Sequence, residues 1–227
     1  MFLNLGSCLN ASYSRVAINS LDRSGTGLLG IVLAPLVAHY TATDIPPLIP
    51  LIRKNLDHNI SPPDRSKITI DDIDWVQLHN TPAQFRHKLF PPHNISDRYS
   101  SERLFQEQST TRRTALPVQL SAFRAQRQID LIIAVDCIYN PSLVVPLLDT
   151  IDYLTTLDSH STPQSEVEIG MRPPSSPAVL IVLELRAVEV TRDFLHAWLE
   201  LPGRWEIWSM PHLGARFATW VGRRREW

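Results

Sequence analysis

Asp136 and Tyr139 are the residues whose types and positions are best suited to chemistry. They follow the apolar residues of the segment Asp130 to Tyr139, whose sequence is Asp-Leu-Ile-Ile-Ala-Val-Asp-Cys-Ile-Tyr. An Ile- and Val-rich run of this length predicts a strand buried on both faces, with its polar groups placed where the strand emerges. In open α/β sheets ligands bind outside the carboxyl ends of the strands. The segment therefore predicts a binding edge, although helix capping by Asp136 and core packing by Tyr139 remain the structural alternative.

A second group of candidate residues lies nearer the amino terminus, at Ser24, Gly25, Gly27 and Asp44. Glycine permits a close approach of backbone N–H groups to a ligand, so Ser24-Gly25-Thr26-Gly27 could form a binding loop before a helix. Asp44 ends a short β-rich run about twenty residues further on, the spacing at which dinucleotide-type folds hold ribose hydroxyls. An ordinary turn and an N-cap are the alternatives for the loop and for Asp44.

Trp75 is a third candidate, because it follows Asp74 at the end of a predicted third strand, Lys67 to Trp75. At that edge an indole could flank a purine ring. A core aromatic is the alternative, since Trp side chains bury a large apolar area.

The elements that would position these residues alternate between strand and helix patterns along the chain. After the glycine loop we expect a helix, a strand at 39–44, a helix to about Asn59, the strand at 67–75, the strand ending near Tyr139 and a helix at 141–157. A strand at 178–185, a helix face at 190–198 and strands at 205–210 and 217–221 follow, the last two as an antiparallel pair near the edge. This order predicts a doubly wound α/β sheet with an antiparallel end.

Composition restricts the class of protein. The 227 residues favour one α/β domain, and a formal net charge of −1 gives no global electrostatic reason for a nucleic-acid or membrane partner. Cys8 and Cys137 are too few for a disulfide framework and are expected to be free thiols, and no His/Cys spacing suggests a metal. Without a targeting or membrane-spanning pattern, we expect a cytoplasmic protein, with the nucleus as a second compartment.

Irregular insertions are predicted at 79–128, which is basic, and at 158–177.

The combined pattern resembles a known family. Gly25-Thr26-Gly27, Asp44, Asp74-Trp75, Asp136-Cys-Ile-Tyr139 and Leu183-Glu-Leu-Arg186 together resemble the family 16 seven-β-strand S-adenosylmethionine-dependent methyltransferases, the lysine methyltransferase group. The run from Asp130 to Ser142 is most similar to the fungal ribosomal lysine N-methyltransferase 5 branch.

The resemblance implies a fold, a cofactor and roles for the candidate residues. The fold would be a Rossmann-like seven-strand sheet, and the cofactor S-adenosyl-L-methionine. Ser24, Gly25, Gly27 and Asp44 would hold its methionine and ribose parts, while Trp75 and Val135 would line the adenine. Asp136 and Tyr139 would lie where the substrate lysine enters, as the catalytic pair.

Residues 1–23 depart from the family pattern. Arg23 stands where the family has its first loop glycine, and we expect the first strand that normally precedes the loop to be truncated or disrupted. We therefore interpret 1–23 as an atypical N-terminal segment and 24–227 as the methyltransferase domain. Phe2 to Gly6 resembles the lost strand and is our candidate to replace it in part.

The predicted function is protein-lysine N-methylation by a monomeric enzyme with no membrane partner, and the expected substrate is a ribosomal protein. A small-molecule N-methyltransferase and a non-catalytic methyltransferase-like interaction protein are the alternatives, because a fold does not fix the acceptor. Contact of the 79–128 insertion with ribosomal RNA is a less favoured option than a solvated loop.

Overall fold

In the computed structural model, the described residues are 16–19 (backbone only), 26–86, 89, 129–156, 176–211, 214 and 216–225. Among them, the strands are β1 (Val16–Asn19), β2 (Tyr40–Asp44), β3 (Ile68–Asp72), β4 (Leu131–Val135), β5 (Ala178–Glu184), β6 (Trp205–Ser209) and β7 (Phe217–Arg224). The α-helices are α1 (Leu28–Leu33), α2 (Ile49–Asn59), α3 (Pro62–Arg65), α4 (Trp75–Asn80), α5 (Ala83–Arg86), α6 (Val144–Thr156) and α7 (Val188–Leu199). Short 3-10 turns at Ala34–Leu36, Pro46–Leu48 and Pro141–Leu143 adjoin α1, α2 and α6.

The strands form one sheet of order β3-β2-β1-β4-β5-β7-β6. Strands β1 to β5 pair in parallel, and β7 pairs antiparallel with both β5 and β6. Sequence order reverses between β1 and β4, and this switch point is where doubly wound sheets open a ligand crevice. The predicted fold class, a doubly wound sheet with an antiparallel end, is confirmed, with β6 at the edge as expected.

Two apolar layers cover the two faces of the sheet. Helices α1 and α2 pack on one face, where Ile52 and Leu56 meet the β2 and β3 side chains. Helices α4, α6 and α7 pack on the other face, against the inner residues of β4 and β5. The alternation along β4, with Ile133 in one layer and Ile132 in the other, explains why its sequence is apolar throughout.

Gly222 of β7 shows how tightly the second layer is packed. A Cβ added there would lie 2.2 Å from Trp198 Cζ2, so this strand position requires glycine for close approach of the α7 indole. Trp198 in turn packs against Phe194 and Trp205, with ring centroids 5.4 and 5.8 Å away. These contacts fix α7 and the antiparallel end of the sheet against each other.

The expectation of a disrupted first strand needs correction. Val16–Asn19 occupies the central place between β2 and β4, which Phe2 to Gly6 was expected to fill in part. Phe2 to Gly6 itself lies outside the described residues. Val-Ala-Ile-Asn is too short for a clear periodic signal, and its pairing is decided by two strands that are distant in sequence. The sheet therefore begins before Ser24, within the segment predicted to be atypical.

Two further boundaries differ from the sequence prediction. β3 ends at Asp72 and not at Trp75, because Asp74 caps α4 by accepting a hydrogen bond from the Gln77 backbone N–H at 3.0 Å. The first part of the expected irregular insertion is helical, since α4 and α5 extend to Arg86. Residues 90–128 and 157–175, which make up most of the two insertions, lie outside the described residues.

No helix in the described parts of the chain is long and apolar enough to cross a membrane. Cys137 is buried and forms no disulfide with another described residue, whereas Cys8 is outside the described residues.

Candidate functional site

The candidate site lies along the carboxyl ends of the parallel strands. One group of residues, here called the cofactor side, consists of Gly27 and Asp44 beside β1 and β2. A second group, the acceptor side, consists of Asp136 and Tyr139 after β4, with Glu184 and Arg186 at the end of β5. Ser24 and Gly25 were also predicted to bind the cofactor, and they lie outside the described residues.

Gly27 is the N-cap residue directly before α1, and its backbone is left-handed, at φ 71° and ψ 15°. Glycine adopts this conformation without the steric cost that a side chain brings. A Cβ there would also lie 3.2 Å from Ile52 Cγ2, so part of the glycine requirement comes from packing on α2. Thr26, the residue before Gly27, is also attached to α2, because Asn55 Nδ2 donates a hydrogen bond to the Thr26 carbonyl oxygen at 3.0 Å. The loop that leads into α1 is thus anchored on α2 at its described end.

Asp44 is the last residue of β2 and is only 1% exposed. Its Oδ1 accepts a hydrogen bond from the Ile45 backbone N–H at 2.8 Å, which sets the direction of the carboxylate. The 3-10 turn and α2 follow directly, each with proline in its first turn. A buried, oriented carboxylate at this edge has the acceptor capacity that a pair of ribose hydroxyls requires.

Asp72 is a neighbouring carboxyl that the sequence did not single out. It ends β3 and is the register partner of Asp44, so two acids end adjacent strands. Burial raises the pKa of Asp72 above its ordinary value, while a hydrogen bond from its own backbone opposes this change. The sequence could have indicated Asp72 by its position, because it lies one strand along from Asp44 at the same edge of the sheet. A cationic ligand at this edge would offset the cost of burying the charge.

Trp75 does not line the edge as predicted. It is the first residue of α4, it is 2% exposed, and it packs in the core layer with Leu78 and the α6 side chains. Its indole Nε1 is buried without a hydrogen-bond partner among the described residues. This position supports the alternative of a core aromatic, because a ring buried in the protein interior has no face open for a purine.

Val135 ends β4 and is partly buried against the α1–α2 layer. Its register partner is Val182 of β5. The strand therefore places an apolar side chain at the edge, immediately before the polar residues of the acceptor side. Contact of Val135 with the adenine stays a prediction.

Asp136 has an unusual backbone for a non-glycine residue, with φ at 51°. Its N–H continues the ladder by donating to the Val182 carbonyl oxygen at 2.7 Å, so the left-handed turn begins while the residue is still held by β5. Aspartate tolerates this conformation better than most residues, because its short side chain can bond locally. Such strain concentrates at functional sites, where surrounding contacts enforce it.

An ionic cluster holds the Asp136 side chain. Arg186 Nη2 donates to Asp136 Oδ2 at 2.5 Å, and Arg186 Nε donates to Glu184 Oε2 at 2.9 Å. Glu184 and Arg186 were predicted only as part of a strand end, with no role for either side chain. The available signal was their position at the carboxyl edge of a strand expected to neighbour β4.

Tyr139 is half exposed, three residues beyond Asp136. The next residue, Asn140, caps the Pro141–Leu143 turn by accepting from the Ser142 N–H, and α6 follows. Between Asp136 and Tyr139, Cys137 turns inward and its thiol donates to the Val135 carbonyl oxygen at 3.3 Å. The buried thiol and the capped turn leave the phenol at the surface, so its predicted core-packing alternative is not the observed arrangement.

The strand spacing gives the scale of the site. Register places Asn19 beside both Thr43 and Ala134, so β1 separates Asp44 from Asp136. Two strand spacings of about 4.8 Å put β2 and β4 about 10 Å apart. The edge between them can therefore accept an extended small molecule that reaches from one carboxylate to the other.

These residues fit a nucleoside cofactor bearing a positive charge. Asp44 supplies fixed acceptors, Gly27 allows the left-handed turn before α1, and Asp72 adds negative potential at the same edge. The fit rests on these described residues, without a contribution from the Trp75 ring.

Comparison with known proteins gives one family. The model of the family described as "Lysine methyltransferase" matches residues 11–89 and 116–167, which together are more than half of the chain. The matched ranges include β1, Asp44, Asp136 and Tyr139. Curated proteins gave no match.

Three solved methyltransferase structures are similar to this chain, and the first of them supports the fold. The methyltransferase domain of bacterial CtHen1 superposes with a TM-score of 0.50 at 8% identity, covering 96% of this chain and 95% of that one. An rRNA methylase from Streptococcus thermophilus reaches 0.45 at 12% identity, covering 97% and 93%. A putative methyltransferase from Streptococcus mutans in complex with SAH reaches 0.45 at 10% identity, covering 99% and 100%.

Proposed function

This chain belongs to the lysine methyltransferase family, and we propose that it transfers the methyl group of S-adenosylmethionine to a lysine side chain of a protein. The observation that carries the proposal is the arrangement of two unlike carboxylates on one sheet edge. Asp44 is buried and fixed by a backbone N–H, whereas Asp136 is partly exposed beside Tyr139. The first suits a ligand held by hydrogen bonds, and the second suits a substrate that arrives from solvent.

Gly27, Asp44 and Val135 would hold the cofactor on the cofactor side, with Ser24 and Gly25 in the loop before α1. When bound, S-adenosylmethionine supplies an electrophilic methyl group on a sulfonium. A neutral lysine Nζ would accept this methyl group, with S-adenosylhomocysteine as the leaving product and the proton of the amine released to solvent. Methyl transfer needs an in-line approach of a neutral amine, so correct positioning supplies much of the rate.

Asp136 and Tyr139 would act on the acceptor lysine. The Asp136 carboxylate can attract and orient the incoming ammonium, and the half-exposed Tyr139 phenol can accept a hydrogen bond from the amine. These two groups would align the nitrogen before its proton is lost to solvent.

A protein substrate is favoured over a small amine by the surroundings of the acceptor side. Four large apolar side chains are exposed on segments that adjoin Asp136 and Glu184: Tyr139, Leu185, Val188 and Phe217. Phe217 is the register partner of Glu184, and Leu185 lies between Glu184 and Arg186 in the sequence. Exposed apolar side chains around a polar centre are typical of surfaces that contact proteins. We further propose a ribosomal protein as substrate, on the strength of the Asp130 to Ser142 resemblance.

The test is methyl transfer by the full chain from isotopically labelled S-adenosylmethionine into fractionated ribosomal proteins, with free lysine and small amines assayed in parallel. We expect label in a protein band that is mapped to lysine by mass spectrometry, and loss of that label with Asp136→Asn. Label in small amines alone would contradict a protein substrate, and no transfer to any acceptor would contradict catalysis. Ribosomal proteins from cells with and without the gene would identify the modified lysine.

A further inference from the structure

Arg186 joins two carboxylates at the acceptor side. Its guanidinium bonds Asp136 after β4 and Glu184 at the end of β5, at 2.5 and 2.9 Å. Because arginine presents its donors in a rigid planar fork, one side chain can hold both acids at once. The cluster lies near the surface, with the Arg186 side chain 47% exposed, so solvent screens it in part.

The cluster carries one positive and two negative charges. This leaves a single net negative charge, which matches one incoming lysine ammonium. The guanidinium bonds one oxygen of each acid, Asp136 Oδ2 and Glu184 Oε2. An ammonium can therefore approach the acids without the ion pairs first being broken.

Attraction of the ammonium conflicts with the reaction, because only a neutral amine can attack the methyl group. A lysine amine has a pKa near 10.4 in water, and two unopposed carboxylates would favour its charged form further. A guanidinium stays charged at every accessible pH, and a nearby positive charge favours the neutral amine.

We propose that Arg186 is a positioning residue that holds Asp136 toward the acceptor lysine and makes loss of the lysine proton easier. This inference rests on the proposed function and assigns to that site a residue that controls its pH dependence. The backbone of Asp136 is fixed by its bond to the Val182 carbonyl oxygen, so the Arg186 contact mainly sets the side chain. Other charged or titratable groups on the flanking segments are Glu189 at the start of α7, Arg216 before β7 and Tyr139 after β4.

The experiment compares pH profiles of kcat for lysine methylation, measured at saturating cofactor and protein substrate so that they report the bound lysine. The proteins compared are wild type, Arg186→Gln, Arg186→Lys and Arg192→Gln. Arg192→Gln is the matched control, since Arg192 lies on α7 and pairs with the adjacent Asp193. We expect Arg186→Gln to move the acidic limb of the profile upward by about 0.5–1 pH unit, a shift reduced by solvent screening. Activity on that limb should fall about 3–10-fold, with recovery at higher pH, while KM for the protein substrate stays equal or decreases.

Two other variants separate charge from geometry. Arg186→Lys keeps the positive charge and should restore the wild-type profile to within about 0.2 pH unit, even if kcat falls through poorer positioning. Glu184→Gln removes a negative charge and should move the acidic limb downward, opposite to Arg186→Gln. Thermal melts of each variant ensure that folded proteins are compared.

The outcomes are distinct. An unchanged profile in folded Arg186→Gln, a shift in the same direction for Glu184→Gln, or failure of Arg186→Lys to restore the profile would each overturn the role of Arg186 and leave the proposed function standing. Absence of lysine methylation by wild type would overturn the proposed function and this inference together.

Discussion

The cofactor side and the acceptor side hold their carboxylates by different means. Asp44 is fixed by the N–H of the residue that follows it and is almost fully buried. Asp136 is held by Arg186, a side chain from beyond the neighbouring strand, and its own side chain is 30% exposed. The first arrangement is set by the backbone before any ligand binds, and the second can adjust when a substrate arrives. Changes on the two sides should therefore affect different steps.

The largest expected effect is on the acceptor side. Asp136→Asn should lower kcat by about 10²–10³-fold, because the lysine loses the charge that orients it. Asparagine tolerates the positive φ of Asp136, so the backbone should be preserved. Steady-state kinetics with a saturating cofactor concentration measure this effect. A decrease in cofactor affinity alone would show that Asp136 belongs to the cofactor side and not to the acceptor side.

Asp44→Asn is the matched change on the cofactor side. It keeps the Oδ1 that accepts from Ile45 but removes the negative charge offered to ribose hydroxyls. We expect KM for S-adenosylmethionine to rise about 10–100-fold, as for loss of a charged hydrogen-bond partner, with a smaller change in kcat. KM for the protein substrate serves as the internal control and should stay within about threefold. An unaltered cofactor KM would assign Asp44 a purely structural role.

Trp75→Leu tests whether this indole belongs to the core or to the cofactor side. Replacing a buried ring with a smaller apolar side chain should lower the free energy of unfolding by about 1–2 kcal/mol through imperfect filling of the site. Cofactor affinity per folded molecule should stay within about threefold. Denaturant unfolding and cofactor titration supply the two readouts. A large loss of cofactor affinity in a stable variant would instead support the predicted contact of Trp75 with the adenine.

The smallest expected effect concerns pH and Asp72. Burial raises the pKa of its carboxyl in the folded protein, so the folded state binds the proton more tightly than the unfolded state does. The contribution of Asp72 to stability is thus fully present below the ordinary carboxyl pKa of about 3.9 and is lost as pH rises through the folded value. Asp72→Asn removes this dependence, so its melting temperature relative to wild type should increase from pH 4 to pH 7. A difference that is constant across this range would show that Asp72 titrates alike in both states.

The same two regions show how much of the fold and of the site could be predicted from the sequence alone. The acceptor side was largely predictable, because β4 and β5 are apolar runs whose ends are marked by acids, and α6 follows with clear helical spacing. The ion pair between Arg186 and Asp136 could not be predicted, because these residues are fifty positions apart in the sequence and only the sheet brings them together. On the cofactor side, Asp44 and the α1 start were predicted, but β1 was missed because four residues carry little local signal. Trp75 was misplaced because β3 ends at Asp72, three residues before it, and Asp74 caps the helix that Trp75 begins.

The central claim is that β1 completes the sheet and that the cofactor side can bind its ligand. Isothermal titration calorimetry of the full chain with S-adenosylhomocysteine tests it most directly, because binding of this product requires no acceptor. The account predicts saturable one-to-one binding that weakens about 10–100-fold in Asp44→Asn and is unchanged within about twofold in Asp136→Asn. Absence of binding to folded wild type, or equal binding by wild type and Asp44→Asn, would contradict it.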